Sequence, residues 1–245
     1  MDRRDVLRTA ATTVGAATLA ATGIGTATAA TGTATPAQRA LRVHVVLFDG
    51  VEELDFAAPY EVFSLAGRVG SRPVDVQYVT ATGPGTVHAA YGTEIRVRRR
   101  WAPHEADVLV VPGGGYQRPD APGVRAEIAR GTLPRALAAA PREGLTITSV
   151  CTGAMLLSAA GITRDRPCTT HHLARPDLEA QGGILKDARV VDDGDLVTAG
   201  GITSGLELGL WMARRELGPE TALKAETALE YEARGTVWTR TPRTR

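Results

Sequence analysis

The feature of this 245-residue sequence best suited to covalent chemistry is a cysteine that ends an apolar run and is followed by Thr-Gly and a helical pattern. Leu145-Thr146-Ile147-Thr148-Ser149-Val150 reads as a buried strand that delivers Cys151 onto a helix predicted over 153–160. Amides and dipole at a helix start favour a thiolate, so this placement predicts a lowered thiol pKa and a nucleophile. The competing reading is a buried small hydrophobe, which free cysteine often is. Thr152 adds a hydroxyl and an amide. Before it in the chain, Pro112-Gly113-Gly114-Gly115 follows another apolar run; its bare backbone, Gly114 above all, could join the Thr152 amide as an oxyanion hole. Asp49-Gly50-Val51-Glu52-Glu53-Leu54-Asp55 brings three candidate acids, Glu52, Glu53 and Asp55, after the first apolar run. A carboxyl buried beside a thiol is pushed toward protonation, which suits acid-base work.

Other reactive side chains are less well placed. Cys168, in Pro167-Cys168-Thr169-Thr170, precedes no helix, and a bridge from it to Cys151 would consume the nucleophile. His171-His172 lacks a neighbouring carboxylate or cysteine to complete a metal set, and Asp192, Asp193 and Asp195 read as a polar turn, so neither a metal nor a cofactor is expected. The low aromatic content leaves Tyr60, Phe63, Tyr91, Trp101 and Tyr116 as candidates to line a mouth.

The elements that would position these groups alternate. Strands are predicted over 41–48, 74–80, 107–111 and 145–150, with 91–97 as part of a hairpin and 189–191 paired with 196–198. Helices are predicted over 57–66, 124–140, 153–160, 204–217 and 219–233. This is the pattern of an α/β fold with a mostly parallel, doubly wound sheet between helices, whose ligand crevice lies at the carboxyl ends of the strands. Composition first leaves one domain or two small ones open; with no second linker, 41–245 reads as one domain.

Residues before 41 are of another kind. Arg3-Arg4, Leu7 and Arg8 precede an uncharged Ala/Thr/Gly tract and Ala27-Thr28-Ala29, which resembles a twin-arginine export signal cut after Ala29, with 30–40 as a flexible leader. The alternative, a membrane anchor, needs a more apolar run. Removing 1–29 leaves 216 residues with 25 basic and 25 acidic side chains, so neither nucleic-acid binding nor stable membrane attachment is expected, and a small molecule is the expected partner.

The ordered set Val46-Leu47-Phe48-Asp49-Gly50-Val51-Glu52-Glu53-Leu54-Asp55, Val111-Pro112-Gly113-Gly114, Ser149-Val150-Cys151-Thr152-Gly153-Ala154, Thr169-Thr170-His171 and Gly200-Gly201-Ile202-Thr203-Ser204-Gly205 resembles the ThiJ/PfpI superfamily over 41–217. The resemblance implies a flavodoxin-like sandwich, a cysteine nucleophile elbow and a homodimer. Its peptidase branch has histidine after the cysteine, where this chain has Thr152. The branch most resembled, with aspartate at 55, Cys-Thr-Gly and Thr-Thr-His, is that of isonitrile hydratase, which adds water to an isocyanide to give an N-substituted formamide. That implies Cys151 as nucleophile, Asp55 as acid and base, Thr152 and Gly114 as stabilising donors, and Gly113 and His171 as site lining, with Glu52 and Glu53 left as solvated loop charges. Glyoxalase or deglycase chemistry and a non-enzymatic redox-sensing or chaperone role are the alternatives within the superfamily.

Overall fold

The computed structural model describes residues 38–240, so the expected export signal and most of the leader lie outside the described residues. Leu41–Val46 (β1) leads to a helix, Glu53–Val69 (α1), then Val74–Thr80 (β2), a hairpin of Gly85–His88 (β3) and Glu94–Val97 (β4), and the short Arg99–Arg100 (β5). Val108–Val111 (β6) is followed by Val124–Arg130 (α2) and Thr132–Ala138 (α3), and Thr146–Ser149 (β7) by Gly153–Ala159 (α4). Pro167–Cys168 (β8), Arg175–Ala180 (α5) and Ile184–Leu185 (β9) precede Val190–Asp192 (β10) and Leu196–Ala199 (β11). Ser204–Leu217 (α6), Pro219–Leu229 (α7) and Val237–Thr239 (β12) complete the described chain.

Eight strands form the main sheet in the order β12-β10-β11-β7-β6-β1-β2-β5. All its pairings are parallel except β10 with β11. The chain runs from β1 outward to β2, then returns to the other side of β1 with β6, so the strand order reverses beside β1 and opens a crevice at the carboxyl ends of β1, β6 and β7. Both faces are covered, with α1, α6 and α7 packed together and α2, α3 and α4 packed together. The central strands are accordingly near-continuous apolar runs: all four residues of β6 and of β11 are buried. The expected α/β fold with a mostly parallel sheet between helices is what the chain adopts. No helix among the described residues is long and apolar enough to cross a membrane.

Three differences have local causes. The helix read as 57–66 begins at Glu53, because the Glu52 side chain accepts the Asp55 N–H at 2.9 Å and caps the first turn. Pro59 sits inside α1 and leaves the Asp55 carbonyl without its usual helical donor. The helix read as 124–140 is two helices, broken at Gly131 where φ is +73°. The small β8–β9 pair and β12, which depend on partners distant in sequence, carry no local signal of their own.

Candidate active site

The cysteine elbow forms where β7 ends. Cys151 has φ +56°, a left-handed conformation costly for a residue with a side chain, and the surroundings hold it there. Its N–H donates to the Gly200 carbonyl at 2.8 Å, and its carbonyl accepts the Thr170 hydroxyl at 2.8 Å. The backbone N–H groups of Ile202 and Thr152 act on the sulfur and favour its thiolate. Ile202 also has positive φ, +41°, so a second strained residue places its amide by the sulfur.

Asp55, in the first turn of α1, is fully buried at 0% exposure. Its Oδ2 accepts the Gly113 N–H at 3.0 Å, and its Oδ1 has no other well-formed hydrogen bond; the polar side chain acting on this carboxyl besides Glu52 is the Cys151 thiol. Burial, then the nearby Glu52 charge, raises the Asp55 pKa well above the ordinary carboxylate range, against the opposing pull of the Gly113 amide. Burial, followed by the Asp55 charge, pushes the Cys151 thiol up to about 12. The lowered thiol pKa expected from the helix start is therefore overturned. The helix is only seven residues long, and desolvation with an adjacent carboxylate outweighs two amide hydrogen bonds. Cys151 is therefore a thiol, and Asp55 is the carboxyl that acts on it.

Thr152 is 5% exposed, and its Oγ1 accepts the Gly114 N–H at 3.1 Å. The amides expected to line an oxyanion hole are thus engaged: Gly114 with the Thr152 hydroxyl and Thr152 with the Cys151 sulfur. The Thr152 O–H proton donates to nothing among the described residues, so this hydroxyl, oriented by Gly114, is the donor offered to a ligand. Gly113 does not line the cavity. It is buried, its amide holds Asp55, its carbonyl accepts the Glu52 N–H at 2.9 Å, and a Cβ there would lie 2.5 Å from Thr152 Oγ1.

Glu52 and Glu53 are not loose loop charges. Glu52 caps α1, while Glu53 accepts the N–H groups of Tyr91 at 2.9 Å and Thr93 at 3.3 Å, tying the hairpin to α1. His171 borders the cavity; its Nδ1 accepts the Leu173 N–H at 3.3 Å, and its ring packs on His172 at 4.3 Å between centroids. Burial, then His172, lowers its pKa, keeping it neutral. Cys168 is a free thiol, buried and pushed up to about 11 by burial, and no disulfide joins it to Cys151. Among the described residues no cluster of His, Cys, Asp or Glu could hold a metal ion.

Cys151 and Thr152 open onto a cavity of about 370 Å³ walled also by Glu52, Tyr91, Tyr116, Arg118, His171 and Ile202. Ile202 is the functional contact the sequence reading did not assign. Its signal was the Gly200-Gly201 pair between a strand and a helix, the same kind of junction that marked Cys151. The arrangement as a whole offers a thiol, a buried carboxyl of raised proton affinity and one hydroxyl at a small pocket.

Comparison with known proteins bears on which chemistry this is. The family described as the DJ-1/PfpI family matches residues 41–215. Isonitrile hydratase of Pseudomonas putida is 32% identical over 193 residues, 78% of this chain and 79% of that protein. A deglycase of Pyrococcus horikoshii is 30% identical over 125 residues, 50% of this chain and 71% of that protein. The crystal structure of a ThiJ/PfpI family protein from Pseudomonas syringae superimposes with a TM-score of 0.70 at 25% identity, covering 87% of this chain and 83% of that one.

Proposed function

Since this chain belongs to the DJ-1/PfpI family, we propose that it is a cysteine-dependent enzyme that hydrates an isocyanide to an N-substituted formamide. The observation that carries this reading is the buried Asp55 carboxyl, its pKa raised by burial, coupled to the Cys151 thiol with Thr152 rather than a histidine next in the chain. An isocyanide needs a proton and a nucleophile on the same carbon, and this pair supplies both.

The pair begins with one proton shared between Asp55 and the Cys151 sulfur. Burial raises the proton affinity of Asp55, which makes transfer from the thiol less uphill than to an exposed carboxylate. Asp55 delivers that proton to the isocyanide carbon, and the thiolate forms the S–C bond, giving a thioimidate and an Asp55 carboxylate. Charge developing on nitrogen meets the Thr152 O–H, which the Gly114 amide orients. Asp55 then takes a proton from water as hydroxide adds to the carbon, and passes it to nitrogen. As the C–S bond breaks, the carbinol proton returns to Asp55. The N-substituted formamide leaves and the original pair is restored, so one water is consumed and nothing is oxidised or reduced.

The test is formamide formation from an alkyl isocyanide by the wild type, Cys151→Ala and Asp55→Asn, followed by NMR. Equal rates in all three exclude the mechanism. Cys151-dependent turnover of methylglyoxal without isocyanide turnover favours a glyoxalase or deglycase instead. Oxidation of Cys151 by mild peroxide with no turnover of either favours redox sensing. Export by the twin-arginine route and homodimer formation belong to the same proposal. Cell fractionation and sedimentation would check them.

A further inference from the structure

The loop over residues 115–118 leaves one charged side chain uncommitted at the mouth of the active-site cavity. Tyr116 is buried and fixed on three sides: its hydroxyl donates to Asp177 at 2.6 Å, the Arg125 guanidinium lies 4.5 Å over its ring, and Arg125 Nε donates to its carbonyl at 2.7 Å. Gln117 reaches the Leu173 carbonyl at 3.5 Å. Arg118 closes the turn, its N–H donating to the Gly115 carbonyl at 3.2 Å. The backbone that carries Arg118 is therefore held, yet its guanidinium makes no ion pair or hydrogen bond among the described residues, although it lines the same cavity as Cys151. Arg125, a few residues on, has Asp177 within 4.0 Å.

The acids facing this cavity do not neutralise Arg118. Glu52 is on its wall, but its carboxylate is committed to the Asp55 N–H and to the positive end of the 17-residue α1. Asp55 is fully buried and does not line the cavity. Apart from Arg118 the mouth is formed by Tyr91, Tyr116, Gln117, Ala90, Ile202 and His171, the last with its pKa lowered by burial, so they bring no further charge. A guanidinium on an anchored turn, without an internal partner, recognises a carboxylate through charge-assisted and bidentate hydrogen bonds.

Resting on the hydratase reading above, we infer that the preferred substrate is an isocyanide carrying a carboxylate on its organic group, and that Arg118 is the residue that selects it. The isocyanide carbon meets Cys151 and Asp55, the aliphatic part lies along Tyr116 and Ile202, and the carboxylate ends on Arg118. Charge recognition then sits outside the reacting centre, so it tightens binding without altering the proton transfers.

The experiment compares isocyanoacetate and its longer ω-isocyano carboxylate homologues with uncharged alkyl isocyanides of equal length, on the wild type, Arg118→Gln and Arg118→Lys. We expect wild-type kcat/KM to favour the carboxylates by about tenfold. That ratio should collapse toward one in Arg118→Gln, be partly kept in Arg118→Lys, and shrink with salt. A wild type without charge preference, or a preference that survives Arg118→Gln, overturns the inference. A second arm needs no turnover: N-formyl amino acids, the products such substrates would give, should protect Cys151 from iodoacetamide better than neutral N-alkylformamides, and only while Arg118 is present. If no isocyanide is turned over, the hydratase reading fails. Protection then still decides carboxylate selection: loss in Arg118→Gln upholds it, and equal protection by acid and neutral compound refutes it.

Discussion

Replacing Asp55 by asparagine should make the cysteine more reactive and the enzyme less active. Asparagine keeps the shape and can still accept the Gly113 amide that now bonds Oδ2 at 3.0 Å, so the fold has no reason to change. What disappears is a charge beside the sulfur and the carboxyl that would carry the proton there. The Cys151 thiol is held at about 12 first by burial and second by Asp55. Burial survives the substitution. The Asp55 charge does not, and a unit charge about 4 Å away is worth up to ~4 kcal/mol at an effective dielectric near 20. Retaining even a third of that effect gives about tenfold more thiolate at any pH below the pKa. Alkylation of Cys151 by iodoacetamide at pH 8–9, read by intact mass, should therefore accelerate about tenfold in Asp55→Asn. Isocyanide hydration should fall by about 10²–10⁴, the range for loss of a general acid-base group. The opposite signs are the point of the measurement. Unchanged or slower alkylation would refute the electrostatic reading of the pair, and full hydration activity would remove Asp55 from the mechanism.

The same substitution should alter stability with pH. Because the folded pKa of Asp55 is raised above the unfolded value of about 3.9, the stability it adds is complete below that value and is lost as pH rises through the folded pKa; chemical denaturation should show Asp55→Asn gaining on the wild type as pH rises above the unfolded value. Thr152→Val leaves the buried Gly114 amide without its acceptor, so it should cost about 1–3 kcal/mol in denaturant melts and lower hydration sharply, whereas Thr152→Ser should preserve both. Burial pushes Asp107 up, but hydrogen bonds from Arg39 at 2.9 and 3.0 Å and from the Arg42 amide at 2.9 Å win and hold it at about 2. Its contribution is thus present above the unfolded value of about 3.9 and lost as pH falls toward 2. Asp107→Asn should cost about 1 kcal/mol at pH 7, discounted for the exposed Arg39, and nothing near pH 2 in the same melts.

Much of the architecture was legible because parallel sheets bury both faces of their strands. Runs such as Val108–Val111 therefore read as apolar without any partner being known. The paired β10 and β11 carried turn residues, Asp193-Gly194, that mark them locally, whereas the β3–β4 hairpin turns over residues 89–93, beyond the Gly83-Pro84 stretch that precedes β3. The start of α1 was less legible, since its cap is an interaction of the Glu52 side chain with the Asp55 amide that residue types alone do not reveal. The strand β12 was not legible at all. Its residues alternate weakly, and its place beside β10 is supported by the Lys186 ammonium over the Trp238 ring at 5.2 Å and by Arg240 bonded to Asp193.

For the site, the residue order alone determined that a cysteine ends a buried strand, that a glycine-rich turn ends its neighbour, and that carboxylates follow the first strand. Those are properties of short stretches and their sequence of appearance. Only the tertiary structure decided which acid faces the sulfur and in which direction the thiol titrates. Asp55 meets Gly113 across 58 residues of chain and Cys151 across 96, and burial within the folded chain is the main cause that raises both groups. A local helix start predicts a stabilised thiolate. The burial that overrules it is a sum over neighbours remote in sequence, which no short stretch of residues contains.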